Sequence, residues 1–263
     1  MRVCALLERG VPPRLNPILA EVFDLLRKGG AEVSVRYPEE ELLRLDTLAV
    51  EADVYLLKSN TELALSLATA LEALGARVLN RASASALAKD KVQAAAALLT
   101  AGIPTPRSLA AARPVQLGAE LADGPLILKP HRGHYGAGIT VVETPAAFPG
   151  EEAYPGLVFA QRYLSRARTD LKVFGIGDEA FGVRKPFSPG SFLREGRPCP
   201  LSPEVEDIAR RCGRAFGLTL YGLDIAESED GPQVVDVNAF PGYRGVPDAA
   251  RRLAEHISGA SGG

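Results

Sequence analysis

The stretch Tyr221–Gly245, YGLDIAESEDGPQVVDVNAFPGYRG, constrains this chain more than any other. It reads as two strands, Tyr221–Glu227 and Gln233–Asn238, around Asp230-Gly231, a dipeptide that supplies positive φ at a hairpin turn. With the turn centred near Glu229–Gly231, Asp224 falls within about a residue of Asp236 across the ladder. Asp236 and Asn238 are two residues apart and share a face of their strand. Three hard oxygen side chains then converge, flanked by the apolar Leu223, Ile225, Val235 and Val237. Two carboxylates held so close repel unless a cation lies between them. Mg²⁺ suits the set, because it takes one or two carboxylates and completes its shell with water and phosphate. A plain surface hairpin with its polar residues outward has the same spacing, so the rest of the chain must decide.

Composition narrows the classes of function. A chain of 263 residues holds one large domain or a few small lobes, with ample core. A formal charge of −2 and a pI near 6.0 give no general basic character, so nucleic acid is not the expected partner. The three cysteines, Cys4, Cys199 and Cys212, form no CxxC pair. That points to a reducing cytosol and away from a disulfide framework or a zinc cluster. No apolar run reaches the roughly 18–20 residues of a membrane span. MRVCALLERG reads as a first strand, not a signal peptide, and the expected location is the cytoplasm.

Residues 1–80 alternate strand and helix: strands over Arg2–Glu8, Ala31–Arg36, Asp53–Leu57 and Arg77–Leu79, helices over Ile18–Lys28 and Thr61–Leu74. Asn16-Pro17 supplies a cap and a first-turn proline for the first helix, and Gly29-Gly30 stops it. Strands separated by helices predict a small parallel sheet. No GxGxxG follows the first strand, so this lobe reads as a scaffold forming one wall of a substrate site. Ser83–Ala101 is an alanine-rich helical stretch carrying Lys89 and Lys91, ended by Gly102 and barred from continuing by Pro104 and Pro106. Lysines on a helix are ordinarily solvated.

Pro125–Arg132 predicts an apolar strand carrying Lys129, followed by the glycine-rich turn HRGHYGAGIT and another strand over Ile139–Glu143. At Gly133, Gly136 and Gly138 a backbone without side chains can approach phosphate closely, although an ordinary hairpin has similar glycines. This is not a Walker loop, since GxxxxGK[ST] is absent and a strand follows. His131 and His134 lack a third nitrogen or sulfur ligand nearby, which leaves a histidine metal site weakly supported. Asp170–Ile176 and Ala180–Lys185 predict a hairpin across Gly177-Asp178, with Lys172 facing away from its apolar neighbours and Arg184 and Lys185 at the end. Pro186–Pro200 resembles a mobile loop. Helices are expected over Ser202–Phe216 and Pro247–Ile257.

Lys91, Lys129, the glycine loop, Lys172 and Arg184 supply cations and backbone donors for phosphate oxygens; Asp224, Asp236 and Asn238 supply metal ligands. That is the parts list of phosphoryl transfer, where positioning and charge neutralisation carry most of the catalysis. No nucleophile in the sequence pairs evidently with His131, His134 or His256, so a Ser-His-Asp or Cys-His reading does not compete.

The order of these motifs resembles the ATP-grasp superfamily over nearly the whole chain: a small α/β lobe, DKVQAAAALLTAGIPTP, the strand with Lys129, the glycine loop, LVFAQRY, DLKVF and the terminal Asp…Asp-x-Asn. The resemblance implies an α/β and α+β fold, with a small parallel lobe over 1–80 followed by two α+β lobes, 81–160 and 161–263, enclosing ATP. It implies that Lys91 and Lys129 bind phosphates and that Gly133–Gly138 forms a lid over them. Gln161, Arg162 and Tyr163 match the hinge that meets adenine, and Asp224, Asp236 and Asn238 match the ligands of Mg²⁺, with Mn²⁺ as an alternative ion. Gln161-Arg162 stands where Gln-Glu is common. Within the superfamily the chain resembles RimK-like carboxylate–amine ligases, which form an acyl phosphate that an amine attacks. DVNAFPGYRGV and DLKVFGIGD also resemble inositol trisphosphate kinases, which phosphorylate a hydroxyl. Arg184 and Lys185 are candidates to hold the reacting acceptor in either case, with Arg244 and Lys172. The expected partners are small-molecule or peptide carboxylates and amines, not nucleic acid or membrane. The ligase reading leads, the kinase is the alternative, and a non-catalytic nucleotide-binding module is the third; a homo-oligomer stays open.

Overall fold

The computed structural model describes residues 1–9, 15–131, 138–164, 169–186 and 196–259. Gly133 and Gly136, and most of the segment expected as a mobile loop, lie outside the described residues. The first lobe runs β1 (Arg2–Leu7), α1 (Pro17–Lys28), β2 (Glu32–Arg36), β3 (Val54–Lys58), α2 (Glu62–Ala73) and β4 (Val78–Leu79). Its sheet has the order β2-β1-β3-β4 and every pairing is parallel, as the alternation of strand and helix predicts. The helix starts obey their caps: Asn16 Oδ1 accepts from the Ile18 N–H at 2.9 Å and Thr61 Oγ1 from Ala64 N–H at 3.2 Å. Strand alternation then divides the lobe's core. Cys4, Leu6, Tyr55 and Leu57 pack towards α2, whereas Val3, Ala5, Leu7, Val54 and Leu56 pack the other way.

The alanine-rich stretch is two helices, α3 (Ala82–Lys89) and α4 (Lys91–Thr100), not one. Asp90 breaks it with an extended backbone, φ −88° and ψ 107°, and its carboxylate accepts the N–H groups of Val92 and Gln93 at 3.1 and 3.2 Å. An aspartate at that place stabilises a new helix start better than it continues the old one.

A small antiparallel sheet, order β5-β8-β6-β7, comprises β5 (Ser108–Ala111), β6 (Leu126–Pro130), β7 (Thr140–Val142) and β8 (Val158–Arg162). Leu126, Leu128, Val158 and Ala160 bury one face against Leu117 and Tyr154, which leaves Ile127, Lys129 and Gln161 on the other. β5 is not evident in the sequence, since SLAA holds no β-branched residue; it forms by pairing with β8.

The third unit is a five-stranded sheet, order β11-β10-β9-β12-β13, of β9 (Thr169–Ile176), β10 (Glu179–Pro186), β11 (Arg197–Cys199), β12 (Leu220–Ser228) and β13 (Gly231–Ala239). β11 falls inside the Pro186–Pro200 segment expected to lack regular structure. As an edge strand it accommodates Pro198 while pairing Val183 with Pro198 and Arg184 with Arg197. Helices α5 (Pro203–Phe216) and α6 (Ala249–Gly259) complete the chain. One face of this sheet (Leu171, Val173, Leu223, Ile225) packs on α3, α4 and α5; the other (Phe174, Val183, Leu220) packs on Val54 and Leu56 of the first lobe.

One buried amide joins the first lobe to that sheet. Asn80, 2% exposed, accepts from the N–H groups of Thr219 and Leu220, both at 3.0 Å, and donates to the Leu220 carbonyl at 2.7 Å. Replacing it strands the buried Leu220 N–H and removes the partner of the Thr219 N–H, while the Leu220 carbonyl keeps the Phe240 N–H at 2.8 Å. Asn80→Ala is expected to cost about 3 kcal/mol of unfolding free energy in a denaturant titration. An unchanged midpoint would show that water replaces the amide.

Candidate active site

The hairpin of β12 and β13 turns through Glu229 and Asp230, one residue earlier than the expected Asp230-Gly231, with Gly231 (φ 97°) already paired to Ser228, and farther along it pairs Asp224 directly with Asp236. Asp224 also faces Lys172 of β9 on its other side. Directly paired residues in an antiparallel sheet share a face. Lys172, Asp224 and Asp236 therefore form a row across three strands, with Asn238 one step along β13.

This row contains its own countercharge. Lys172 Nζ donates to Asp224 Oδ1 at 2.6 Å, and Lys91 Nζ, from the first turn of α4, stands 4.0 Å from Asp236 Oδ1. Asn238 Nδ2 donates to Asp236 Oδ2 at 3.2 Å. Of the two lysines in the alanine-rich stretch, Lys91 alone reaches the row; Lys89 pairs with Glu62 of α2 at 2.6 Å. Two carboxylates and an amide oxygen, on one face and with neighbouring ammonium groups that can move aside, fit a Mg²⁺ ion that keeps water and phosphate in its remaining positions.

Beside the row lies a cleft between the small sheet and β13. It forms where the register of β12 and β13 shifts between Asp224 and Ile225, leaving Val235 as the extra, bulged residue. The outer edge of β13 then bonds to the small lobe: Val234 N–H donates to the Pro104 carbonyl at 2.8 Å and Thr105 Oγ1 to the Val234 carbonyl at 2.9 Å. Lys129, only 4% exposed, donates to the Val235 carbonyl at 3.0 Å and to Gln161 Oε1 at 2.7 Å. Gln161 is oriented in turn by donating to Ser108 Oγ at 3.2 Å. Lys129, Gln161, Arg162, Tyr163 and Val235 all line the cleft. The Arg162 guanidinium is directed to the carbonyls of Glu120 and Gly124, so it braces the hinge from behind. Gly138 has φ 72°, and a Cβ there would stand 2.8 Å from Pro130 Cγ, so glycine is required where the chain returns to β7.

The structure does not bring Arg184 to the carboxylates. The two-residue turn at Gly177-Asp178 pairs Lys172 with Val183 and Leu171 with Arg184, which puts Arg184 on the helix-packed face. There it makes a double contact with Glu227, at 2.5 and 2.9 Å. Lys185, 3% exposed, takes the place on the Lys172 face; the same count from the turn identifies it in the sequence. Arg244 lies in the loop after β13, between Tyr243 (φ 54°) and Gly245 (φ 88°). Tyr243 anchors that loop by donating to the Gly175 carbonyl at 3.0 Å, and Gly245 packs on Val183, which puts the loop on the Lys172 face.

The chain belongs to the RimK-like ATP-grasp family, whose domain profile matches residues 88–257. It is 31% identical over 210 residues to a probable alpha-L-glutamate ligase of Xanthomonas campestris pv. campestris (strain 8004), covering 72% of this chain and 72% of that one. The RimK domain protein ATP-grasp from Sphaerobacter thermophilus DSM 20745 shares the fold at a TM-score of 0.81 and 20% identity, over 97% of this chain and 99% of that chain. The ATP-grasp ligase PsnB, solved with minimal precursor, Mg and ADP, has a TM-score of 0.72 at 23% identity, over 98% and 97%. None of these relatives is an inositol phosphate kinase, so the similarity expected from DVNAFPGYRGV has no counterpart among them.

Two outcomes follow from this geometry. Lys172→Met leaves Asp224 facing Asp236 with less positive charge, so added MgCl₂ is expected to raise the melting temperature of the variant more than that of the parent. Equal shifts would place the ion elsewhere. The Glu227 carboxyl sits below the ordinary glutamate range because it accepts from Arg184. Its small contribution to stability is therefore complete above that range and is lost as the pH falls below it towards the lowered value of the folded protein, and Arg184→Ala should soften only this acid limb. An accompanying loss of turnover would return Arg184 to the site.

Proposed function

We propose that the protein is an ATP- and Mg²⁺-dependent ligase that joins a carboxylate, of an amino acid or peptide, to an amine. The observation that carries this reading is the row of Asp224 and Asp236 in direct register beside a cleft that buries Lys129. Family membership and the names of the relatives support the same class. Asp224, Asp236 and Asn238 hold the metal, and Mn²⁺ can replace Mg²⁺ there. Lys91 and Lys129 hold phosphate oxygens, with Gly133, Gly136 and Gly138 contributing backbone donors. The base binds along Gln161, Arg162 and Tyr163, where the narrow cleft, about 10 Å³ here and so the size of one water, must widen to admit it. Bound Mg-ATP supplies the phosphoryl group that turns the carboxylate into an acyl phosphate, from which the amine displaces phosphate.

The chain's own part is placement and charge. Lys172 can exchange its Asp224 contact for an oxygen of the reacting carboxylate, because a metal ion replaces its role as countercharge. Lys185 and Arg244, on the same face, hold the oxygens that carry negative charge as the acyl centre becomes tetrahedral. The proposed lobes are 1–80, 81–160 and 161–263, acting in the cytoplasm. No helix among the described residues is long and apolar enough to cross a membrane.

The test supplies Mg-ATP, a panel of amino acids and short peptides, and hydroxylamine as the amine. ADP and a hydroxamate in equal amounts are expected; ADP with a phosphorylated hydroxyl compound and no hydroxamate would mark a kinase. Asp236→Ala is expected to lower kcat by about 10²-fold or more with its fold intact. Unchanged turnover would sink the metal assignment.

A further inference from the structure

The segment Phe240–Gly245 leaves β13 directly after Asn238-Ala239 and carries Arg244. Phe240 and Tyr243 adopt φ of 41° and 54°, a left-handed backbone that residues with a Cβ resist. Such a backbone persists only where its surroundings hold it, and it recurs where a group must be presented in one orientation. Two anchors come from the large sheet. The Phe240 N–H donates to the Leu220 carbonyl at 2.8 Å, and the Tyr243 hydroxyl donates to the Gly175 carbonyl at 3.0 Å.

Between those anchors the hold comes from the first lobe. Asn16 Nδ2 donates to the Gly242 carbonyl at 3.2 Å, while Asn16 Oδ1 accepts the Ile18 N–H at 2.9 Å as the cap of α1. One side-chain amide thus serves both partners, its oxygen on the helix and its nitrogen on the loop. The approach is close: a Cβ on Gly242 would stand 3.0 Å from Asn16 Nδ2, so a side chain there would press on the amide. Capping by itself does not call for asparagine, because aspartate and serine cap a helix equally well. The bond to the loop does, since it needs an N–H that reaches outward from the cap.

This loop lies beside the carboxylate row. Gly245 packs against Val183, which pairs with Lys172 across the ladder and shares its face. Arg244 therefore leaves the backbone between Tyr243, tied to β9 through Gly175, and Gly245, seated on the partner of Lys172. A rotation of the Gly242 peptide passes straight into Tyr243 and from there into the direction of Arg244.

We propose that Asn16 is a positioning residue for the reaction: its side-chain amide locks the Gly242 carbonyl and, through the left-handed Tyr243, sets the direction of Arg244. It touches no reactant. This rests on the role given to Arg244 in the ligase reading above, and it adds that the first lobe shapes the reacting site through the cap of its first helix.

The test uses Asn16→Ser and Asn16→Asp. Both keep an oxygen for the Ile18 N–H and lose the amide that donates to Gly242, so the melting temperature is expected to stay within about 3 °C of the parent. In hydroxamate formation with Mg-ATP, kcat is expected to fall about tenfold in both, with KM for ATP level. In an Arg244→Met background the same substitutions are expected to add no further loss, because Asn16 acts through Arg244. A full tenfold loss there, or an unchanged kcat in both single variants, overturns the proposal. Hydrogen exchange judges the loop without reference to activity. The Val246 N–H, bonded to the Tyr243 carbonyl at 3.1 Å, is expected to exchange about fivefold faster in both variants, with the Ala20 N–H of α1 unchanged. Equal Val246 rates in parent and variants overturn the proposal, and faster exchange at Ala20 as well traces the effect to the helix cap and overturns it too. Absence of hydroxamate with the parent defeats the ligase reading alone, and the exchange rates still decide the role of Asn16.

Discussion

Asp224 and Asp236 face each other across a single ladder step, and the architecture around them answers the repulsion this creates. Two carboxylates at that separation, partly withdrawn from water, need positive charge close by. Lys172 brings it along the sheet from β9, and Lys91 brings it from outside the sheet, at the head of α4. Neither supply is local. Lys172 depends on the pairing of β9 with β12, and Lys91 on Asp90, whose cap starts a fresh helix one residue before it.

The same logic explains why the small lobe is attached where it is. The bulge at Val235 breaks the ladder one residue before Asp236 and turns a carbonyl towards Lys129. A buried ammonium must find acceptors, and this one takes Gln161 from its own sheet and Val235 from the other. The contact thereby fixes the distance between the cleft and the carboxylate row. On the opposite flank, Asn80 substitutes for a strand neighbour of Leu220 and positions the first lobe, whose Val54 and Leu56 complete the core on the site-bearing face.

Much of this was legible before any coordinates. The Asp-Gly turn and the two alternating strands put the aspartates near each other, but with Ser228 paired to Gly231 a regular ladder would set Asp224 opposite Val235, and it is the bulge at Val235 that brings Asp236 there. Asn16-Pro17, Thr61 and Ser202 mark helix starts through local bonds that the sequence shows directly. Arg184 and Lys185 stand side by side as candidates in the sequence, and the two-residue turn at Gly177-Asp178 decides between them, since it puts Arg184 and Lys172 on opposite faces. Asp90 belongs here too, since an aspartate before a lysine and an alanine run is a cap signal, although helical residues on both sides of it hide the break.

What the sequence determined by itself is the set of short-range relations: strand and helix periods, caps, turns and the hairpins that join neighbouring strands, though the bulge at Val235 that sets Asp224 against Asp236 is not among them. These depend on neighbours within one turn or one ladder, so spacing states them. Tertiary structure alone decided which of the candidate cations meet the carboxylates. Lys89 and Lys91 are two residues apart on alanine-rich helix, yet one faces Glu62 and the other Asp236. Asn16 lies far along the chain from Gly242, and β5 exists because β8 offers it an edge. Such contacts join residues through packing between lobes, where distance in space is independent of separation along the chain.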